Sequence, residues 1–544
     1  MDNQQTLKIE NGMTAPGMEG KWAKRDGVFV IAFLACAYLI VDFFLWSGFA
    51  LGATVAYVVL FLVTSAYLAD RKIRPQLFPA FCGAASLAAA AVFTVNHDVG
   101  MNVLLFLMID LLYAIFICGA AGRLSYWTGS YFLVVDLCKN LIAVPLAHLA
   151  EPFKAVLRLW RRDGGKGREV KVLLGLVLAL PVVAITVPLL IQSDVAFQGL
   201  MEGLAENLGE LMVKVVLAVL LGVYIAAVLC MLHRRAGECI QPGVTVREGR
   251  FRVMDGTVAS VFLGAISVFY LVYLFSQLAY FFSAFAGILP EGYAFKPSEY
   301  ARRGFFEMVM IALINGGVLS LSCILVKRTA KDEIPAPVKG LSLFIALFTL
   351  LLTATAFSKM VLYIQLMGMT RLRVLTSIFM VMLAIGILAL IVRLFFRRFP
   401  YMRVIIAGCS LVLMCCAYAD VDTMIAKNNI AAYRNGTLEQ LDVLYLGRLS
   451  AATVPQLEAL LEDENAAVRD DTARVMDVWA SQRIQKDEAG NLVPAPYYHE
   501  FKNYTLMDQK INEVLISRYA DYAGASRSER YLDSLYGEEG YAFD

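Results

Sequence analysis

Long apolar runs recur along this chain, and their length is the feature that most restricts its fold. A helix that crosses the hydrocarbon core of a bilayer needs about 20 predominantly apolar residues. The 544-residue sequence contains eleven such runs, which predict an all-α polytopic membrane protein with about eleven transmembrane helices. The runs lie at about 28–46, 50–68, 77–95, 101–121, 172–192, 211–232, 256–285, 304–326, 340–358, 374–392 and 401–419.

Charge divides the sequence into two parts. Residues 420–544 carry 22 acidic and 12 basic side chains, a formal charge of −10, whereas residues 1–419 carry 36 basic and 24 acidic ones, or +12. Overall, 59% of residues are hydrophobic and 17% are charged, which excludes an ordinary soluble enzyme, a disordered chain and a nucleic-acid-binding protein. We predict an N-terminal tail (1–26), a transmembrane helical domain (27–419) and an acidic, mainly helical soluble C-terminal domain (420–544).

The distribution of Lys and Arg between loops predicts the orientation in the membrane. With the N-terminus in the cytoplasm, cytoplasmic segments carry 29 basic residues and the opposite loops carry 6. Basic residues are enriched in cytoplasmic loops, so this distribution favours a cytoplasmic N-terminus. Eleven spans then place residues 420–544 outside the cytoplasm, and an error of one span would reverse that side.

Residues 122–171 form a long segment on the predicted cytoplasmic side. Within 132–149, four residues fall on one helical face, Asp136, Lys139, Asn140 and Ala143, which indicates an amphipathic helix lying in the membrane plane. Basic residues follow from Lys154 to Lys171. They are interpreted as a topological signal, with a specific anionic-lipid site as the alternative.

The acidic C-terminal domain shows helical apolar spacing at 438–449, 454–461, 466–480 and 505–520. The second and third of these stretches resemble a single HEAT-type helix pair. Because such repeats need about three copies to bury a core, an ordinary helical hairpin is the simpler interpretation.

Motifs for catalysis and metal binding are absent from the sequence. It contains no phosphate-binding Walker loop, no HExxH and no GxSxG. All ten cysteines lie at or before Cys416, without zinc-binding spacing, and the chain has four histidines. We expect no cofactor, no metal and no catalytic residues, and we favour a protein that is not an enzyme.

Asp110 is the ionisable residue that lies nearest the middle of a predicted span. A charged group in hydrocarbon is costly and therefore often functional. One hypothesis is a proton or cation relay through Asp110. The other is a single carboxyl group that is hydrogen-bonded between helices, and no second acid or base is predicted at the same depth.

Six basic residues lie on the predicted outer side, against the usual charge bias. Five of them flank the starts or ends of spans eight to ten and form a candidate cluster: Arg302, Arg303, Lys359, Arg371 and Arg373. If they lie at one membrane depth, they could anchor helix ends among headgroups, dock the acidic domain, or bind an anionic ligand through bidentate guanidinium contacts. All three interpretations remain open from the sequence.

Several strings of residues resemble a known family. EYARRGFFE (299–307), SKMVLY (358–363), GMTRLR (368–373), ADVDTMIAKNNIAAY (419–433) and LDVLYLGRLS (441–450) are similar to the bacterial membrane families called domains of unknown function 4153 and 4173. The resemblance covers about residues 180–510. It implies a multi-pass bacterial membrane protein and supplies no established activity or cofactor. Lys359 stands where the family tends to have arginine.

Three functions of different class fit these observations. The first is a non-catalytic envelope sensing or scaffold protein in the bacterial cytoplasmic (inner) membrane. The second is a transporter or lipid-handling protein that uses Asp110 or the outer basic cluster, and a transferase acting on an anionic lipid is a third. The expected partners are the lipid bilayer and either an anionic lipid or an envelope protein, with no nucleic acid.

Overall fold

A computed structural model describes residues 24–46, 48–96, 99–124, 133–160, 205–234, 251–286, 305–330, 332–396 and 399–523, with single positions between 175 and 186. In this part of the chain, ten helices are long and apolar enough to cross a membrane. They are α1 (Lys24–Ile40, continued by a π-helical turn, Val41–Trp46), α2 (Leu51–Asp70), α3 (Leu77–Ala90, continued by Val92–Val95), α4 (Val99–Ala120), α5 (Ala205–Arg234), α6 (Gly256–Ala286), α7 (Phe305–Leu325), α8 (Ala336–Met367), α9 (Arg371–Phe395) and α10 (Tyr401–Tyr418).

These ten helices coincide with ten of the eleven predicted runs, and the all-α polytopic fold is confirmed. The remaining run, 172–192, lies outside the described residues apart from isolated positions. The largest difference in helix length concerns α8, which continues to Met367 although its apolar run was predicted to end at 358.

The end of the bundle from which the C-terminal domain emerges is called the tail face here. At this face α10 ends beside the end of α3, because Asn96 donates a side-chain hydrogen bond to Ala417 O and the Tyr418 hydroxyl donates to Ala88 O at 2.7 Å. The opposite end is called the far face. There Arg25 pairs with Asp70 at 2.7 Å, which joins the start of α1 to the end of α2.

Helices α4 and α5 both begin at the tail face. Helix α4 ends at the far face, where Gly119 packs closely against Pro79 at the start of α3. Near the beginning of α5, Lys214 pairs with Asp42, which lies in the π-helical turn after α1, at 2.5 Å. The described helices therefore keep the alternation that the eleven-span prediction requires.

Residues 133–157 form two helical pieces, Leu133–Ala147 and Glu151–Leu157, that are bent by 56° relative to each other. Asn140 donates to Arg123 O at 3.2 Å, just beyond the end of α4, and Leu159 lies against Gly27 of α1. Leu133, at the beginning of the segment, lines a small recess together with Pro79 at the start of α3, so both ends of the bent segment lie near the far face. Its in-plane location in the membrane stays a prediction.

The polar residues of the bent segment do not share one exposed face. Asp136 and Asn140 are buried against the protein, whereas Lys139 is exposed. Pro145 lacks the backbone N–H that would pair with Leu141 O, and the Tyr224 hydroxyl donates to that carbonyl at 2.6 Å instead. A π-helical turn over Lys139–Ala143 also shifts the helical register, which separates residues that an ideal α-helix would place together.

The C-terminal domain, called the tail below, is described to residue 523. It contains four longer helical segments and one small antiparallel hairpin, with short helical turns between them. Strands β1 and β2 pair with Ile484 opposite Pro494. The elements are α11 (Val421–Arg434), α12 (Val443–Arg448), α13 (Ala466–Arg483), β1 (Ile484–Lys486), β2 (Leu492–Pro494) and α14 (Leu506–Ser517).

Two hydrophobic cores organise the tail. The first part of the tail, through residues such as Ile425 and Leu457, belongs to the same cluster of buried side chains as Ile378 of α9 and Ala417 of α10. The second part has its own core, which includes Met476 and Ile511. The tail is therefore joined to the membrane helices by continuous packing as well as by the chain itself.

A buried ion pair lies beside the second core. Arg483 donates through both terminal nitrogens to Asp508 Oδ1 at 2.8 Å, and the two side chains are 0% and 2% exposed. The other Asp508 oxygen accepts from the backbone N–H and the hydroxyl of Thr505, each at 2.8 Å, which caps α14. Tyr498 covers the Arg483 guanidinium at 4.1 Å.

Candidate functional site

The corner between α8 and α9 is where the tail meets the membrane helices. Gly368 follows the end of α8 with φ +76°, a left-handed conformation that glycine adopts at no steric cost. Thr370 caps α9, because its hydroxyl oxygen accepts from the Arg373 backbone N–H at 3.4 Å. The chain therefore turns between the two helices within a few residues.

Arg373 stabilises this corner through contacts with residues of the corner itself. Its Nη1 donates to Met367 O at 3.0 Å and to Gly368 O at 2.6 Å, so it satisfies carbonyls that the end of α8 would leave without a helical partner. Its guanidinium also lies 4.0 Å from the ring centroid of Tyr363. The contacts of Arg373 thus go to its own corner.

Arg371 joins the corner to the tail. Its Nε donates to Asp422 Oδ1 at 3.1 Å and its Nη2 to Asp422 Oδ2 at 2.5 Å, a bidentate arrangement. The Asp422 side chain is 0% exposed and that of Arg371 is 31% exposed. This pair connects the first turn of α9 with the first turn of α11.

Two further contacts lie beside this pair. Asn429 accepts from the Met369 backbone N–H at 2.6 Å and donates to Met369 O at 2.9 Å. The Arg371 backbone N–H donates to the hydroxyl oxygen of Tyr445 at 2.8 Å, and burial raises the pKa of that phenol, which keeps it neutral. These contacts are called the latch below, and its residues are Met369, Arg371, Asp422, Asn429 and Tyr445.

Asp420 lies at the junction between α10 and α11, the first helix of the tail. Its φ is +54°, which is uncommon for a residue with a side chain, and it is 5% exposed. Its carboxylate accepts from the Thr423 hydroxyl at 2.7 Å and from the Thr423 N–H at 3.4 Å, which caps α11. Burial raises the pKa of Asp420, and the nearby Asp422 acts in the same direction.

The structure brings only part of the predicted basic cluster together. Arg371 and Arg373 share the first turn of α9, and Arg302 and Arg303 lie outside the described residues. Lys359 lies within α8, eight residues before its end at Met367. At about 1.5 Å per residue, this places Lys359 about 12 Å along the helix from the corner, so it does not share one depth with the two arginines.

Asp110 accepts a hydrogen bond from the Tyr57 hydroxyl at 2.8 Å, which connects α4 to α2. Tyr57 is buried, whereas Asp110 lies on an exposed face of α4 together with Leu107 and Leu111. One turn further along, Tyr113 and Thr64 form a second hydroxyl pair at 2.5 Å. The described contacts join helices, and no hydrogen bond among the described residues connects the two pairs into a relay.

Sequence reasoning missed a second polar site, which joins α1 and α5 near their tail-face ends. Lys214 pairs with Asp42 and with Glu210, each at 2.5 Å, and lies 4.9 Å from the ring centroid of Trp46. Glu210 and Lys214 are four residues apart on one helix, and this spacing indicates the ion pair between them. Asp42 is 172 residues away in sequence, and only the fold brings it to Lys214.

The described residues offer no ready metal site, since nowhere among them do three His, Cys, Asp or Glu side chains come close enough to hold an ion. An open recess of about 370 Å³ is lined by Ala419, Thr423, Met424, Lys427 and Asn428, and by none of the latch residues. The charged side chain of Arg371 has a structural role, because it fixes the tail to the membrane helices.

Comparison with known proteins identifies one family. The model of the family described as Domain of unknown function (DUF4153) matches residues 56–460, which include nine of the ten described spans in full or in large part and the beginning of the tail, to residue 460. No curated protein and no solved structure matches the chain. The matched region contains the whole latch.

Proposed function

This chain belongs to the DUF4153 family, and we propose that it is a non-catalytic scaffold or sensing protein of the bacterial envelope, embedded in the cytoplasmic membrane. Its multi-pass membrane character is the starting point for this proposal. The working part would be the tail, which presents its surface to envelope partners from a fixed position above the bilayer.

The latch is the observation that carries the proposal. A domain that was only tethered to a membrane anchor would need no bidentate ion pair and no shared hydrophobic core with the spans. Here α11 has both, through Asp422 and through buried residues such as Val421 and Ile425. A rigid connection of this kind suits a platform, or a device that transmits a change between the tail and the spans.

The same geometry favours a scaffold over a ligand-binding role for the outer basic cluster. The guanidinium of Arg371 faces a buried carboxylate, and that of Arg373 faces two carbonyls and an aromatic ring. An anionic ligand would have to displace these contacts before either arginine could bind it. Arg371 therefore supports docking of the tail and Arg373 supports the α8–α9 corner, and both roles fit these contacts better than capture of a substrate.

The side of the membrane on which the tail works is part of the proposal. The loop charges, 29 basic residues against 6, support a location outside the cytoplasm. Fusions of alkaline phosphatase and of green fluorescent protein after Asp544 test it. We expect phosphatase activity without fluorescence, and fluorescence without phosphatase activity would place the tail in the cytoplasm.

A complementation test distinguishes a function that depends on the latch from one that depends on Asp110. In cells that lack the gene and show an envelope-stress phenotype, we expect the wild-type gene and Asp110→Asn to restore growth. Arg371→Glu places a like charge opposite Asp422 and should fail to do so. Lys427→Glu makes the same charge change at an exposed position of α11 and is the matched control.

A transporter or lipid-handling function using Asp110 is the second candidate. The Tyr57–Asp110 hydrogen bond favours it, because a carboxyl group with a hydroxyl partner within the membrane is able to exchange a proton. Purified protein in proteoliposomes tests it. A proton-coupled flux that Asp110→Asn abolishes while the protein remains folded would replace the scaffold proposal with this one.

A further inference from the structure

Large apolar side chains are almost entirely covered in the described part of the tail, residues 420–523. Three are exposed: Tyr497 at 49%, Phe501 at 60% and Leu506 at 55%. All three lie within ten residues of one another, between the end of β2 and the first residue of α14. Single exposed apolar residues are ordinary, whereas a group of them in one short stretch is a candidate interaction site.

The same segment touches the membrane domain. The Leu51 backbone N–H, at the start of α2, donates to Tyr504 O at 3.0 Å. Gly52 lies so close to the segment that a Cβ placed there would be 2.9 Å from Lys502 O. Since α2 begins at the tail face, these contacts fix residues 501–504 at the level where the span enters the bilayer surface.

Local hydrogen bonds make the segment compact. Asn503 donates to Tyr497 O at 3.0 Å through its side chain and to Glu500 O at 3.0 Å through its backbone. Two short 3₁₀ turns, Pro496–His499 and Phe501–Asn503, build the rest. The exposed side chains are therefore carried on an ordered support and not on a free loop.

We propose that residues 496–506 are an interfacial membrane anchor, with Tyr497, Phe501 and Leu506 contacting the lipid of the leaflet in which the tail face lies. Tyrosine and other aromatic residues favour the headgroup region, where an apolar ring and a polar tip are both accommodated. Lipid is the proposed occupant because the contacts with Leu51 and Gly52 hold the segment against the first turn of α2, a helix that is long and apolar enough to cross the membrane. The latch holds the beginning of the tail, and this anchor holds its later part at a second point.

Site-specific photo-cross-linking of the full-length protein in lipid nanodiscs tests the anchor. Benzoylphenylalanine is introduced at Phe501 or at Leu506, two positions so that the failure of one variant to fold does not end the test. The matched control is Glu488, an exposed position in the turn between β1 and β2. Equal resistance of the tail to protease identifies the variants that fold.

Under illumination we expect lipid adducts at 501 and 506, seen as a mass increase of one phospholipid, and none above background at 488. Adducts to a second protein chain in place of lipid would show that the patch is a protein interface and would overturn the proposal. Equal lipid labelling at 488 and 501, or no lipid labelling at either anchor position in a folded variant, would overturn it as well.

Discussion

Two arginine–aspartate pairs, one within the tail and one between the tail and a membrane helix, look alike in composition and differ in their surroundings. In Arg483–Asp508 both side chains are essentially buried, and both belong to the tail. In Arg371–Asp422 the carboxylate is buried and the guanidinium is 31% exposed, and the pair joins the tail to a membrane helix. The first pair stabilises the fold of the tail, and the second fixes its position.

The difference in exposure determines what each pair contributes. A buried pair is costly to desolvate, so its removal matters mainly because one partner is left charged and unpaired in the interior. A partly exposed guanidinium regains water when its partner is lost. The two ends of Arg371–Asp422 should therefore respond unequally to mutation, whereas both ends of Arg483–Asp508 should be sensitive.

The largest effect is expected at Asp508. Asp508→Ala leaves Arg483 buried without its carboxylate and removes the cap of α14, so the tail should lose about 3–5 kcal/mol of unfolding free energy. Pulse proteolysis of the full-length protein in nanodiscs measures this loss. Glu513→Ala, an exposed acid on the same helix, is the control, and an equal loss in both variants would contradict the assignment.

A smaller and asymmetric effect is expected at the latch. Arg371→Ala leaves the Asp422 carboxylate buried without its cation and should weaken docking of α11 by about 1.5–3 kcal/mol. Asp422→Asn should cost less, because the amide keeps a hydrogen-bond acceptor for Arg371, which remains partly hydrated. Hydrogen exchange of residues 421–434 reports on docking. Greater exchange in Asp422→Asn than in Arg371→Ala would reverse the comparison.

Asn429 tests whether the latch also depends on uncharged contacts. Asn429→Ala removes both hydrogen bonds to the Met369 backbone and should weaken docking by about 1–2 kcal/mol. The loss of docking free energy in Asn429→Ala should be the same at low and high salt. The loss in Arg371→Ala should be smaller at high salt, because salt screens interactions between charges. Asn428→Ala, at the exposed neighbouring position, is the control. Salt dependence equal to that of the arginine variant would show that Asn429 acts only through the ion pair.

Hydropathy predicted the spans because the need for about 20 apolar residues is a property of the sequence itself. It failed at the end of α8, where Lys359 interrupts the apolar run although helix formation continues to Met367. A hydropathy window reports where lipid can surround a helix. It does not report where backbone hydrogen bonding stops.

The latch was predictable in kind but not in detail. The charges of the outer basic residues and the acidic tail indicated docking as one of three interpretations. Which of the 22 acids would meet Arg371 depended on the turn at Asp420 and on the packing of α11. The contacts of Asn429, Tyr445 and Tyr504 involve backbone groups, and no sequence pattern marks a backbone partner.

The smallest expected effect concerns Asp420, which is buried near the latch without an ion-pair partner among its described contacts. Burial raises its pKa in the folded protein. A carboxyl with a raised folded pKa stabilises the fold below its unfolded pKa, and this contribution is lost as the pH rises through the folded pKa.

Asp420→Asn keeps an oxygen for the Thr423 cap, and asparagine tolerates a positive φ, so docking of α11 should tighten slightly at neutral pH. Below the ordinary carboxyl pKa of 3.8 the variant and the wild type should converge. Asp470→Asn, the same substitution at an exposed position of α13, is the control variant. Hydrogen exchange of α11 at both pH values measures this, and weaker docking of Asp420→Asn at neutral pH would show that the charged cap stabilises the junction more than its burial costs.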